Sequence, residues 1–69
     1  MEKEIIFVIE ESHEGGYEAR ALGYPIFTEA ETYEEIKKMV HDAVSCHFEE
    51  SQMPKVIRLH LIKDELLAV

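Results

Sequence analysis

The stretch Ile5-Ile6-Phe7-Val8-Ile9 is an unbroken run of β-branched and aromatic residues between Glu4 and Glu10-Glu11. Because every position is apolar, both alternating faces of an extended strand would carry apolar side chains. That pattern is typical of a strand covered on both sides, which indicates a central place in a sheet. We therefore predict a β-strand over residues 4–11 at the middle of the fold.

Two shorter strands are predicted next. A loop over residues 12–16 contains Gly15-Gly16, which can supply the positive φ of a tight reversal. Residues 17–22 then form the second strand, and a five-residue loop sets Ile9 opposite Ala19 and Phe7 opposite Ala21. Residues 26–28 form a short third strand, which begins at Pro25 or lies at an edge because proline cannot donate to a ladder.

A helix is predicted over about residues 33–49. Thr32-Tyr33-Glu34-Glu35 is a capping box, in which Thr32 accepts from the backbone of Glu35 and Glu35 reaches back to the cap. Apolar residues follow at the spacing of a buried helical stripe. The stripe consists of Ile36, Met39, Val40, Ala43, Val44, His47 and Phe48.

A fourth strand is predicted over residues 56–62, after Pro54 has stopped the helix. A helix that joins two strands of one sheet makes a right-handed crossover, so this strand can lie parallel to the first. The fold class is therefore α+β: a three-stranded antiparallel meander, one helix, and a fourth strand alongside the first. We expect residues 1–69 to form one domain, with a sticky tail over residues 64–69.

One helix can cover only one face of this sheet, so the other face is predicted to be bare and apolar. Its apolar residues are Ile6, Val8, Leu22, Val56 and Ile62. This is more contiguous apolar surface than a solvated face normally carries. Either the C-terminal tail folds over it or a second copy packs there, and we favour a homodimer or a higher homo-oligomer because so small a chain buries little surface alone.

Charge narrows the classes of partner. The chain of 69 residues has a net charge of −8, and residues 1–35 hold ten acidic and two basic side chains, whereas residues 36–69 hold five of each. An acidic protein lacks the basic face that nucleic acid or an anionic membrane requires. The acidic half either keeps the protein soluble or binds a basic partner. One cysteine and no apolar run beyond five residues suggest a cytoplasmic protein.

Catalytic and metal-binding patterns are weak. His41 and Cys46 lie about 140° apart around a helix, His47 falls within the apolar stripe, and His13 and His60 lie in a loop and a strand. Asp42 and Cys46 have the i, i+4 spacing of one helix face, but two ligands do not make a zinc site, and Cys46 has no oriented base. We therefore expect no metal, no cofactor and no catalytic residue; a small enzyme that uses His13 or His60 remains a minor alternative.

Four motifs occur in one order along the chain: Glu14-Gly15-Gly16-Tyr17 with Ala19, Gly23, Phe27-Thr28-Glu29, and Thr32-Tyr33-Glu34-Glu35. This series resembles the HicB-like antitoxin family, over residues 4 to about 62. The resemblance implies a truncated ribonuclease H-like domain with the strand order predicted above. It also implies a role in toxin–antitoxin systems, because full-length members neutralise HicA, a small basic toxin that cleaves messenger RNA, and often carry a C-terminal DNA-binding module.

This sequence departs from the HicB-like pattern in two places. Tyr24-Pro25-Ile26-Phe27 stands where the family has a Pro-Gly-Cys turn, and no DNA-binding module follows the fourth strand. We therefore expect a minimal domain without DNA autoregulation. The first strand has Ile6-Phe7-Val8 where a ribonuclease H needs metal-binding carboxylates, so nuclease activity is not expected.

The first functional hypothesis is a non-catalytic antitoxin-like protein that occludes a basic partner. Its acidic face would comprise Glu10, Glu11, Glu14, Glu18, Glu29 and Glu31. Possible aromatic anchors are Tyr17, Tyr24 and Phe27. The alternative is a homo-oligomeric structural or regulatory module, or an accessory subunit, that has no toxin partner.

Overall fold

A computed structural model describes residues 3–12, 14–63 and 67–69. Four strands, one α-helix and one short 3-10 turn follow one another along the chain. In order they are β1 (Glu4–Glu11), β2 (Tyr17–Ala21), β3 (Phe27–Ala30), α1 (Tyr33–His47), the 3-10 turn Glu50–Gln52, and β4 (Val56–Ile62).

The four strands form one sheet in the order β3-β2-β1-β4. β1 pairs antiparallel with β2, β2 pairs antiparallel with β3, and β4 runs parallel to β1. The predicted α+β fold, with a meander, one helix and a fourth strand beside the first, is therefore confirmed. β1 is an inner strand, as its unbroken apolar run predicted.

The predicted register of the first hairpin is also confirmed, since Ile9 faces Ala19 and Phe7 faces Ala21. The core lies between α1 and this face of the sheet. Its buried side chains are Ile5, Phe7, Ile9, Ala19, Ile26, Ile36, Val40 and Val44. Ala19 is fully buried, so small side chains in β2 leave room for the helix to approach closely.

The helix begins at Tyr33, as predicted, and ends two residues early. Thr32 Oγ1 accepts a hydrogen bond from the Glu35 N–H at 3.1 Å, which is the predicted cap. The helix ends at His47 and not at residue 49, because Phe48 has an extended backbone (φ −104°, ψ 144°). At its last turn, the Phe48 N–H donates a hydrogen bond to the Val44 carbonyl oxygen.

The buried stripe of α1 is narrower than predicted. Ile36, Val40 and Val44 are buried, but Met39 is 44 % exposed and His47 is exposed, so these two predictions were wrong. The helix lies closest to β3 and β2, where the small side chains of Ala19, Ala21 and Thr28 point toward it. Because the helix packs this closely, it buries one row of side chains spaced four residues apart, and the residues on either side of that row stay exposed to solvent.

The β2–β3 turn shifts two predicted bounds. β2 ends at Ala21, one residue early, and β3 spans Phe27–Ala30, where residues 26–28 were predicted. A hydrogen bond of 3.0 Å from the Ala21 N–H to the Ile26 carbonyl oxygen joins the two sides of this turn. β3 lies at an edge of the sheet, in agreement with the position of Pro25.

The tail prediction is tested only in part, because residues 64–66 lie outside the described residues. Leu67 is 80 % exposed and Val69 is exposed, so these residues do not cover the sheet.

Candidate partner-binding face

Three glutamates stand side by side on three adjacent strands. Glu10 of β1 faces Glu18 of β2, and Glu18 faces Glu29 of β3. Residues directly opposite one another point to the same side of a sheet, with Cβ atoms roughly 4.5–5.5 Å apart. We call this set the carboxylate row. All three residues are exposed, and the nearest described cation is the Arg20 guanidinium, 3.8 Å from Glu10 Oε1.

The carboxylate row lies on the face turned away from α1, which we call the bare face. Along β1 the odd-numbered residues from Ile5 to Ile9 are buried under the helix, so the even-numbered residues point the other way. The apolar residues predicted for this face all lie on it: Ile6, Val8, Leu22, Val56 and Ile62. Leu22 is 48 % exposed, so the described residues leave this part of the face uncovered, as predicted.

Phe27 joins the apolar part of the bare face to the carboxylate row. It faces Arg20 across the β2–β3 pair and is 59 % exposed. A small indentation beside it is lined by Val8, Glu10, Glu18, Ala19, Arg20 and Phe27. The acidic and apolar residues therefore share one surface, which β3 extends with Phe27 and Glu29.

A wider acidic hollow lies beside the row, where the β1–β2 loop meets the end of β3. Its carboxylates are Glu14, Glu18, Glu29, Glu31 and Glu35. The described lining contains no lysine or arginine. Glu35 was missed by the sequence analysis, which interpreted it only as a capping residue. Among the described residues its backbone N–H is bonded to Thr32, while no bond from its carboxylate back to the cap is present.

Glycine brings the loop into contact with β3. Gly16 has φ +86°, and a Cβ there would stand 2.8 Å from the Ala30 carbonyl oxygen. Only a residue without a side chain fits this approach, so Gly16 sets the distance between the loop that carries Glu14 and the strand end that carries Glu31.

The other predicted residues are dispersed. Glu11 faces Tyr17 on the helix side of the sheet and does not join the row. Tyr17 packs edge-to-face on Tyr33 with ring centroids 5.8 Å apart, which is a structural role. Tyr24 lies at the far end of the β2–β3 hairpin and packs on Phe48 at 5.1 Å. Of the three aromatic anchors, Phe27 is the one on the bare face.

Ion pairs occur at the margins of the bare face. Arg58 Nε donates a hydrogen bond to Glu4 Oε1, and this bond together with the carboxylate charge raises the pKa of Arg58. Arg58 is therefore cationic throughout the physiological range and is already partnered. The carboxylate row, in contrast, has one arginine for three carboxylates.

Residues considered for catalysis or metal binding do not converge. Within the described ranges, no three histidine, cysteine, aspartate or glutamate side chains are placed to hold one metal ion. Cys46 is exposed, His60 lies in β4 opposite Val8, and His13 is outside the described residues. In the part of the chain described here, no helix has the length and apolar character needed to cross a bilayer.

Two relatives identify the family of this chain. A UPF0150 protein of Thermotoga maritima is 44 % identical over 68 residues, which cover 99 % of this chain and 96 % of the relative. A UPF0150 protein of Archaeoglobus fulgidus is 58 % identical over 52 residues, or 75 % of this chain and 77 % of the relative. No protein-family model matches the chain, and no solved structure matches it. With a relative this similar along almost its whole length, the chain belongs to the UPF0150 protein family.

Proposed function

We propose that the bare face binds a small basic protein and that the chain acts without catalysis, as a HicB-like antitoxin does toward a HicA-like ribonuclease. One observation carries this proposal: the carboxylate row borders an exposed apolar patch on the same face. Protein interfaces combine an apolar centre with a polar rim. A partner with lysine or arginine beside an apolar surface would complement both parts.

The physical mechanism is competition for a cationic cleft. A ribonuclease that binds RNA phosphates presents lysine and arginine to its substrate. The carboxylates of the row, which are separated by the strand spacing of roughly 5 Å, can pair with those lysine and arginine side chains in place of phosphates. The acidic hollow beside the row extends the negative surface. Partner binding would then exclude RNA both by charge and by the bulk of the sheet. Such a role belongs in the cytoplasm, where messenger RNA is translated.

The motifs that carry the HicB-like resemblance support the proposal through their position. Gly15-Gly16-Tyr17 lines the acidic hollow, and so does Glu35, the last residue of the motif Thr32-Tyr33-Glu34-Glu35. The first allows the loop to approach β3, and the second starts the helix beside it. Both motifs shape the surface that we propose for binding.

The experiment is co-expression with the small basic protein encoded by a neighbouring reading frame. We expect co-purification, rescue of growth arrest caused by that protein, and affinity that falls as salt rises. The triple variant Glu10→Gln, Glu18→Gln, Glu29→Gln should lose at least tenfold in affinity. The matched control is Asp42→Asn, Glu49→Gln, Glu50→Gln, which removes the same charge from exposed positions outside the bare face.

Equal affinity of the two triple variants would show that the carboxylate row is not the contact. Absence of both co-purification and rescue would refute the toxin partner.

The second candidate function is a homo-oligomeric structural or regulatory module. The exposure of Leu22, Phe27, Val56 and Ile62 on one face favours it, since a second copy could cover them. In that case the protein alone would be an oligomer that Leu22→Lys dissociates, and no basic partner would bind.

A further inference from the structure

The two outer strands of the sheet differ in how well their edges are protected. An edge strand presents unpaired N–H and C=O groups that another strand can bind, and proteins block such edges with short strands, proline or charge. β3 has four residues and carries Glu29. β4 has seven residues, of which five are apolar, and its Arg58 is paired with Glu4 of β1. Among the described residues, β4 is therefore the longer and more apolar open edge of the sheet.

The backbone of β4 shows which groups face outward. Val56 donates its N–H to the Lys3 carbonyl at 3.3 Å, so Val56 is directed toward the chain of β1. Successive residues of a strand direct their hydrogen-bonding groups to opposite sides, so those of Ile57, Leu59 and Leu61 point away from β1. Among the described residues, no strand lies beyond β4 to receive them.

Apolar side chains surround this edge on both faces of the sheet. The helix lies closest to β3 and β2, at the opposite side, and Leu61 is consequently 40 % exposed on the helix side. On the bare face, Val56 and Ile62 are exposed. A strand added to the edge would cover apolar residues on both faces as well as the backbone.

The sequence of this segment has a two-fold pattern. Residues 55–63 are Lys-Val-Ile-Arg-Leu-His-Leu-Ile-Lys, so the order of basic and apolar residues is the same in both directions about Leu59. When two such strands pair antiparallel about that residue, Val56 meets Ile62 and Ile57 meets Leu61. Every apolar residue then meets an apolar residue of the second copy.

We propose that two copies of this chain pair β4 to β4, antiparallel and centred on Leu59, into one continuous sheet with four strands from each copy. The contact is isologous and closes as a dimer. Arg58, which Glu4 already partners, meets His60 of the second copy, and Lys55 meets Lys63 in exposed positions just beyond the strand ends, where salt screens the two like charges. The bare faces stay open, so the dimer is independent of the function proposed above.

The first test is sedimentation equilibrium at micromolar concentration. We expect twice the chain mass of 8.0 kDa. Leu61→Lys should give the single-chain mass, while Leu22→Lys on the bare face and Leu67→Lys in the exposed tail, which make the same chemical change elsewhere, should leave the dimer intact. Native protein of single-chain mass overturns the proposal, as does dissociation by Leu22→Lys but not by Leu61→Lys.

A cross-link tests the register and does not depend on how well Leu61→Lys folds. In a Cys46→Ser background, Val56→Cys with Ile62→Cys places two thiols at a non-hydrogen-bonded pair, with Cα atoms about 4.5 Å apart, within disulfide range. Within one chain these positions are about 20 Å apart, because a strand rises roughly 3.3 Å per residue. Mild oxidation should therefore yield a covalent dimer.

The matched control is Arg58→Cys alone in the same background, which would cross-link only if the strands slip by two residues. We expect no covalent dimer from it. A covalent dimer from Arg58→Cys but not from the double variant would overturn the register, and none from either would overturn the pairing.

Discussion

At the scale of single residues, the two adjacent glycines of the β1–β2 loop have different roles. Gly15 has φ +93° and open space where a Cβ would lie, whereas Gly16 has φ +86° and the Ala30 carbonyl in that space. Gly15 is needed for backbone conformation alone. Gly16 is needed for conformation and for the close approach that shapes the acidic hollow.

We therefore expect Gly16→Ala to lower the free energy of unfolding more than Gly15→Ala. A side chain at positive φ costs about 1–3 kcal/mol at either position. At Gly16 a Cβ 2.8 Å from the Ala30 oxygen also forces the backbone to shift, which adds to that cost. Urea denaturation of both variants measures the difference. Equal losses would mean that the approach of the loop to β3 is looser than described.

At the scale of elements, the carboxylate row places like charges on adjacent strands, which lowers the stability of the sheet. Like charges directly opposite one another destabilise a strand pair, and the carboxylate row contains two such pairs. Glu18 belongs to both pairs, while the ion pair that Arg20 forms, at 3.8 Å, is with Glu10. Surface that repels itself in the free protein is suited to a cationic partner.

Neutralising the middle of the row should therefore stabilise the free protein while it weakens partner binding. We expect Glu18→Gln to raise the free energy of unfolding by roughly 0.2–1 kcal/mol at low salt, with a smaller gain at high salt because ions screen the repulsion. Thermal melts at two salt concentrations measure this. Glu49→Gln, at an exposed position outside the sheet, is the matched control. Loss of stability in Glu18→Gln would show that the row is neutralised within the chain.

At the scale of the whole molecule, the helix packs on one face of the sheet, and the described residues leave two surfaces without a partner. The bare face combines the apolar patch with the carboxylate row, and the β4 edge offers backbone groups and apolar side chains. The two surfaces are approximately perpendicular. A basic partner on the first and a second copy on the second can therefore be bound at the same time.

Pairing through β4 has a consequence for stability. A dimer unfolds to two chains, so its midpoint of thermal unfolding rises with protein concentration. We expect this rise for the native chain and expect Leu61→Lys to abolish it. A midpoint that does not change over a hundredfold range of concentration would contradict the dimer.

Local patterning determined most of the fold. The apolar run of β1, the glycine loop, the cap at Thr32 and the proline before β4 predicted the order of the elements, the crossover and the register of the first hairpin. These features were predictable because each depends on residues close together in sequence. The errors concerned the edges of the apolar stripe of α1, where Met39 and His47 were predicted to be buried. Their exposure depends on the position of the helix over the sheet, which local patterning does not determine.

The candidate site was only partly visible in the sequence. Composition showed that the first half of the chain is acidic, and the five-residue loop that sets Ile9 opposite Ala19 also sets Glu10 opposite Glu18. The alignment of Glu29 with that pair required the register of β3, and the place of Glu35 in the hollow required the packing of the helix start.

Sequence by itself thus determined the elements and the sign of the charge, because periodicity and capping act over a few residues. Tertiary structure decided that Glu29 and Phe27 join the face of Glu10 and Glu18 and that, among the described residues, no strand lies beyond β4, because both depend on how the strands pair.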